Sequence, residues 1–280
     1  MKIIEKKIGY TFKTLPNDEF LTNFYKNLYF NVDKNFNYKK KKFENEYYSI
    51  EAEIKVHLIE KRFKLKNKTA LDLGCGTGSF VKQVSKKFKK CEGVDFEIKQ
   101  INNKFKKEYK FIKKNPNIFV NRKLDYDFIF LNNILEHSSR PLDLISSLYK
   151  NSKKNSYLII SIPNDFSTIQ KKTYSIIKKK YWIKYPEHLY YFNKKKFDYL
   201  IKNKFKVIDA ISDFPIELFL LFKQTNYINN PEKGKICHEI RCRNIIHLYK
   251  RYGIARLYKF YKNFFKMDIG RNSTYFLKKI

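Results

Sequence analysis

The sequence predicts an α/β protein on a doubly wound, Rossmann-like parallel sheet, with a helical cap before it and a helical insert late in it. Three observations carry this prediction. Strand-like apolar runs alternate with helical periodicity from 69 to 162, the pattern of βαβ units. The first run, Thr69-Ala70-Leu71-Asp72-Leu73, enters a turn with glycines at alternate positions, Gly74, Gly76 and Gly78, and a helix restarts at Phe80-Val81. Such a turn leaves backbone N–H groups and bare Cα atoms facing a ligand. The second run, Cys91-Glu92-Gly93-Val94-Asp95, ends in an acid about 20 residues past the glycines, where sheets of this type read ribose hydroxyls.

The glycine spacing excludes two nucleotide motifs. A dinucleotide fingerprint needs G-x-G-x-x-G, but here the third glycine comes one residue early and Ser79 takes its place. No Lys follows the glycines, so a phosphate-binding P-loop is excluded too.

At 280 residues and 34.0 kDa the chain can bury a full core. Residues 1–45 read as an aromatic cap: a short strand at 9–12, a helix capped near Asn17, and a lysine loop at 39–42. A second helix, 46–63, buries Ile50, Ile54, Leu58 and Ile59. Further strands are expected at 109–113, 126–131 and 156–162, and helices at 79–89, 97–107 and 140–151. Residues 115–123 hold Pro116 and little periodicity, so a loop with at most one turn is expected. A helix around 167–179, a second at 194–203 capped by Asn193, and a sixth strand at 205–211 follow. Residues 214–269 then read as helices (216–222, 236–252 and 254–265), and only 272–277 returns to strand character. The division expected is therefore a cap at 1–45, a core at 46–213, an insert at 214–269, and the last core strand within 270–280.

The net charge of +33 invites a nucleic-acid reading. The lysines are scattered along the whole chain, however, and Arg is scarce beside them. Lys, Asn, Ile, Phe and Tyr abound while Gly, Pro and Trp are few, the profile that an AT-rich genome imposes through its codons. Nucleic acid is accordingly not the expected partner. Cys75, Cys91, Cys237 and Cys242 form no C-x-x-C pair, and the first residues lack an apolar h-region, so a reduced, cytoplasmic protein is expected. The longest apolar run, 214–222, is too short to span a bilayer.

Asp72-x-Gly74-x-Gly76-x-Gly78 with Asp95 closely resembles the first motifs of class I S-adenosylmethionine (SAM)-dependent methyltransferases. The resemblance implies SAM as cofactor. It places the turn Gly74-Cys75-Gly76-Thr77-Gly78 against the methionine part, with Asp72 accepting from the ammonium directly or through water. Asp95 would take the ribose hydroxyls, Phe96 would stack on a ring, and Asn132 and Ile134 would pack around the methionine and the adenine edge. Tyr126-Asp127-Phe128-Ile129, then Leu135-Glu136-His137 and Pro141, then the strand ending Pro163-Asn164, are similar to one subgroup. It holds the ubiquinone-pathway O-methyltransferases and many sugar methyltransferases. The likeness runs from about 46 to 213. Beyond it, 214–219 and Gly270-Arg271-Asn272 resemble segments of methyltransferases from surface-polysaccharide gene clusters.

A hydroxyl acceptor must lose a proton as the methyl arrives, and neutral imidazole suits that task. His57 reads as a structural helix residue, and His238 and His247 lie in the insert. Cys237-His238-x₃-Cys242 fits no tetrahedral ligand set, so zinc is not expected. His188 and His137 remain as candidate bases. His188 is favoured because Glu136 beside His137 makes a structural duty there more credible. The ubiquinone-type enzymes carry a further acid before L-E-H that is linked to a divalent metal. Asn133 holds that place here, so no metal is expected. Tyr25, Tyr29 and Phe30 from the cap, and Phe214, Glu217 and Phe219 from the insert, are the expected acceptor walls. The function implied is methyl transfer to a hydroxyl of a small or carrier-linked acceptor, most plausibly a sugar. The alternatives are an RNA methyltransferase and a SAM-fold binding protein without turnover.

Overall fold

A computed structural model describes residues 2–25, 42–228 and 230–280. Tyr29 and Phe30 lie outside them. The main sheet has seven strands in the order β5-β4-β3-β6-β7-β10-β9. β3 (Thr69–Leu73), β4 (Lys90–Asp95), β5 (Lys110–Lys113), β6 (Phe128–Asn132) and β7 (Tyr157–Pro163) pair in parallel. β9 (Phe205–Ser212) reaches β7 only through β10 (Asn272–Lys279), which runs antiparallel to both. The seven-stranded Rossmann-like sheet expected from the sequence is present.

Both faces of the sheet are covered, so its strands alternate between two cores rather than between core and water. On β6, Ile129 and Leu131 face one cluster, with Leu71, Leu158 and Ile160. Phe128 and Phe130 face the other, with Ala70, Val81 and Ile159. Strand order reverses on either side of β3, so the crevice at its carboxyl end is where such sheets bind ligands.

Two short strands escaped the sequence. β1 (Ile3–Lys6) and β8 (Tyr190–Tyr191) flank β2 (Gly9–Phe12) in a separate three-stranded sheet. This sheet ties the N-terminus to the loop carrying His188, and Thr11 Oγ1 donates to Leu189 O at 2.8 Å. α1 (Asp18–Asn23) follows, capped by Asn17 as expected. α2 is longer at its start than expected, Lys42–Glu60, so the boundary drawn at 45/46 falls inside a helix.

α3 (Ser79–Val84) begins directly on the glycine turn and tightens into a 3₁₀ turn at Ser85–Lys87. The helix expected over 97–107 forms only as α4, Asn103–Glu108. Glu97 Oε1 instead accepts from the backbone of Ile98 and Lys99, and Gln100 Nε2 turns back onto Gly76 O. Local polar side chains here outcompete the helix. α5 (Pro116–Phe119) is the single turn expected, and α6 (Pro141–Asn151), α7 (Thr168–Ile177) and α8 (Lys194–Ile201) lie as predicted.

The insert differs from its expectation. Residues Ile216–Leu221 form a 3₁₀ helix, and one long helix, α9 (Pro231–Lys266), bends at Gly253. Its apolar side packs on α2 and β9 through Ile245, Tyr258 and Tyr261 against Ile54, Leu58 and Ile211. Asp209 of β9 anchors it further, accepting from Tyr258 and pairing with Lys262 at 2.9 Å. No helix among the described residues is long and apolar enough to cross a membrane.

Candidate active site

A cleft of about 890 Å³ opens at the carboxyl edge of the sheet. Of the residues expected to bind cofactor, Gly74, Gly76, Asp95, Phe96, Asn132 and Ile134 line it. The turn between β3 and α3 is pinned to β4, because Gly74 N and Cys75 N both donate to Val94 O, at 2.7 and 3.0 Å. Gly76 N donates to Asp95 Oδ2 at 2.7 Å, which fixes the acid against the turn.

The glycines have separate reasons. A Cβ on Gly74 would lie 2.0 Å from Ile134 Cδ1, and its φ of +78° disfavours any side chain. At Gly76 a Cβ would meet nothing within 4 Å, because that face looks into the cleft. An open backbone cradle beside a fixed carboxylate fits an adenosine cofactor, leaving room for it and an acceptor for the ribose hydroxyls.

Asp72, Cys75 and Gly78 stand behind the cleft wall. Asp72 is buried and accepts from Asn132 Nδ2 at 3.0 Å, while Lys55 Nζ donates to Asn132 Oδ1 at 2.7 Å. Asn132, not Asp72, lines the cleft, so Asn132 stands between Asp72 and the cleft. Burial raises the Asp72 carboxyl to about 7, against the Asn132 amide and the Lys55 charge, which pull it down. Burial likewise lowers Lys55. Cys75 packs under Gly93, and Gly78 starts α3 with a positive φ against the Phe111 ring. Both shape the turn from below and do not face the cleft.

The other end of the same cleft gathers Tyr25, Glu136, His137, Glu187 and His188. His137 Nδ1 lies 2.6 Å from Glu187 O, so its N–H donates there, and Nε2 faces Glu136 Oε1 at 4.0 Å. Tyr25 OH also reaches Glu187 O, at 3.2 Å. The His188 ring meets that of His137 edge to face at 4.9 Å. Leu189 N donates to Glu136 O at 2.8 Å, which holds the two loops together. Burial depresses both imidazoles, His137 to about 4 and His188 further, so both are neutral near pH 7. Burial raises Glu136 to about 8. Among the described residues, the Glu136 oxygens and His188 Nδ1 are buried without a hydrogen bond of good geometry, although the nearby Asn133 side chain pulls the Glu136 carboxyl down.

Glu136, His137 and His188 each offer one metal-type donor atom, all within 4.8 Å of one another. Asn133 was the reason to expect no metal, but the fold brings His188 to the cluster from another loop. Two imidazoles and a buried carboxylate suit a divalent cation.

Phe214, Glu217 and Phe219 are absent from this cleft. Phe214 packs on Phe219 and Phe264 within the insert. Glu217 is buried, accepts from Gln170 Nε2 at 3.1 Å and faces Arg271 Nε at 3.8 Å. The insert buttresses α2 and β9, and these three residues do not wall the acceptor side. Sequence reading missed Lys55, although Glu51 and Lys55 are polar residues four apart on a helix whose neighbouring positions are buried. It also passed over Glu136 as a merely structural neighbour.

The methyltransferase domain family matches residues 45–204. No curated protein matches the sequence. Among solved structures, a SAM-dependent methyltransferase from Archaeoglobus fulgidus is similar at a TM-score of 0.50 and 19% identity, over 90% of this chain and 100% of that one. The plantazolicin methyltransferase BpumL in complex with SAH is similar at 0.52 and 15%, over 92% and 93%. With the glycine cradle, the fixed Asp95 and the strand order all in place, the chain belongs to the methyltransferase domain family, as a class I methyltransferase with SAM as its cofactor.

Proposed function

We propose that the protein transfers a methyl group from SAM to a hydroxyl of a sugar-like acceptor, small or carrier-linked. The observation that carries this reading is the trio Glu136, His137 and His188, in one cleft with the glycine cradle. In the cradle, Asp95 takes the ribose hydroxyls, Phe96 and Ile134 pack on the nucleoside, and Asn132, oriented by Asp72 and Lys55, meets the methionine end. SAM supplies an electrophilic methyl on sulfur, and the protein must hold an acceptor oxygen in line with it.

His188 is the acceptor-side base of this proposal. It is neutral, and among the described residues its Nδ1 accepts no hydrogen bond. A buried imidazole is a weak final holder of a proton, and the Glu136 carboxyl within 4.8 Å, raised to about 8 and so mostly protonated at pH 7, takes that proton only in its ionised fraction, which grows as pH rises toward 8. His137 is pinned by Glu187 O and acts as a wall and positioning residue. Ser138, Ser139, Arg140, Asp143 and Ser147 continue the lining and supply hydrogen-bond partners suited to a polyhydroxylated molecule.

The same trio supports a second reading, in which Glu136, His137 and His188 hold a divalent cation that would acidify a bound hydroxyl. A chelator separates the two: the base reading expects turnover within about twofold after EDTA treatment, while a loss restored by Mg²⁺ or Mn²⁺ would select the cation.

The acceptor class is tested by incubating the enzyme and SAM with mixed sugar nucleotides and following single-methyl mass increases. Methylation of RNA with every sugar left unmodified would overturn the proposal.

A further inference from the structure

We propose that the surface joining the end of α7 to the start of α9 docks on an anionic lipid bilayer. Four large apolar side chains stand out of this surface: Ile176 is 60% exposed, Leu221 44%, Phe222 62% and Ile236 58%. They are not scattered singly. Ile176 and Leu221 line one shallow groove of about 470 Å³, which Lys223 and Lys233 also line. Ile236 follows Lys233 by one helical turn, on the same face of α9. Cys237 Sγ on the next residue donates to Thr225 O at 3.4 Å, which holds that part of α9 against the segment carrying Phe222.

The charges around the apolar side chains are mostly basic. Lys178 ends α7, and Lys179 and Lys180 follow it, all exposed. Lys223 and Lys233 flank the groove itself. The acid beside them, Glu232, is paired with Lys235 at 2.7 Å. Apolar side chains ringed by lysines are what an anionic headgroup layer over an acyl boundary accommodates. An RNA surface would use the lysines and a base could stack on Phe222, but the aliphatic Ile176, Leu221 and Ile236 would be left without a role.

Position adds to this chemistry. Ser273 of β10 pairs with both Ile162 of β7 and Ser212 of β9, so β7 and β9 end at the same edge of the sheet. The segment after β9 therefore leaves from the edge at which the cleft opens. A bilayer touching this surface would lie along the cleft's edge, a geometry suited to an acceptor carried on a lipid. That last step rests on the proposed acceptor; the docking itself does not.

The test uses the whole chain and vesicles, with no turnover involved, so failure of the methyl-transfer reading would leave it intact. Co-sedimentation with phosphatidylcholine vesicles containing phosphatidylglycerol should show binding at least about tenfold stronger than with phosphatidylcholine alone. The triple variant Leu221→Ser, Phe222→Ser, Ile236→Ser should lose about tenfold while still binding SAM, which shows it is folded. Lys178→Glu, Lys179→Glu, Lys180→Glu should lose as much, whereas Lys86→Glu, Lys104→Glu, Lys107→Glu, near the β5 edge, should stay within about twofold. Equal losses from both lysine sets, or no preference for phosphatidylglycerol, would overturn the proposal. So would polyuridine binding that outcompetes vesicles and is abolished by the apolar variant, which would make this surface an RNA site.

Discussion

The two ends of the cleft are made in opposite ways. The cofactor end comes from one contiguous βαβ stretch, in which backbone groups do most of the holding: Gly76 N on Asp95, and Gly74 N and Cys75 N on Val94 O. The acceptor end comes from side chains far apart in sequence. Tyr25 and His137 are 112 residues apart, His137 and Glu187 are 50 apart, and Tyr25 reaches across 162 residues to Glu187 O. The first end is fixed by turn geometry and tolerates almost no change of residue type. The second is fixed by packing of the small sheet and the 181–189 loop, and it is the end proposed to receive the acceptor. Binding of SAM and choice of acceptor should therefore be separable by mutation.

The largest effect is expected at the acceptor end. His188→Ala should lower turnover by about 10²–10⁴-fold while SAM affinity stays within a few-fold, since general-base catalysis contributes about that much. Glu136→Gln keeps the shape but removes the carboxylate whose ionised fraction takes up the proton, so its loss of turnover should widen as pH rises toward 8. Single-turnover assays beside calorimetry read both quantities. If His188→Ala weakens SAM binding as much as turnover, the two ends are one unit and the comparison breaks.

The same contrast explains what the sequence made legible. The sheet from 69 to 162 follows from spacing alone, because turn and strand geometry are local, whereas the roles expected of Asp95, Gly74 and Gly76 come from the motif's resemblance to a family. β8 is two residues long and exists only because β2 lies beside it, so no periodicity could announce it. The insert shows the limit of amphipathic reading. Its stripe says that α9 buries one face, but not that the face meets α2 and β9 instead of the cleft. Glu217 looked like a cleft acid and is instead neutralised by Arg271, 54 positions on, through a contact that only the fold creates. Lys55 was hidden for the same reason: its partner Asn132 is 77 residues away.

At the cofactor end the expected effect is on affinity. Asp95→Ala removes the proposed acceptor for the ribose hydroxyls, and hydrogen bonds to a charged group are worth about 1.5–3 kcal/mol each, so SAM binding should weaken at least about tenfold. Turnover at saturating SAM should change far less. Gly74→Ala sharpens the point, because its Cβ would strike Ile134. Adding Ile134→Ala should recover part of the lost affinity but not all, since the positive φ remains unfavourable. Full recovery would mean that sterics alone, and not the backbone turn, require the glycine.

The smallest effect expected is a pH dependence, and it bears on the place where the cofactor end of the cleft meets α2. Asp72 sits behind Asn132, with Lys55 on the other side of the same amide. Its carboxyl is raised to about 7, so in the free enzyme it is largely protonated at pH 6. A raised acid costs stability as pH climbs: the contribution is intact below the ordinary carboxylate range and is lost as pH rises through about 7. SAM brings an ammonium and a sulfonium toward Asn132, and positive charge favours the ionised form of Asp72. Binding should therefore tighten with rising pH and release a proton, with at most about a tenfold gain between pH 6 and pH 7.5. Asp72→Asn should flatten this profile while leaving the Asn132 amide a partner. Calorimetry in two buffers of different ionisation enthalpy reads both the affinity and the proton count. An unchanged slope in Asp72→Asn would move the titration to another group and leave Asp72 only a structural support for Asn132.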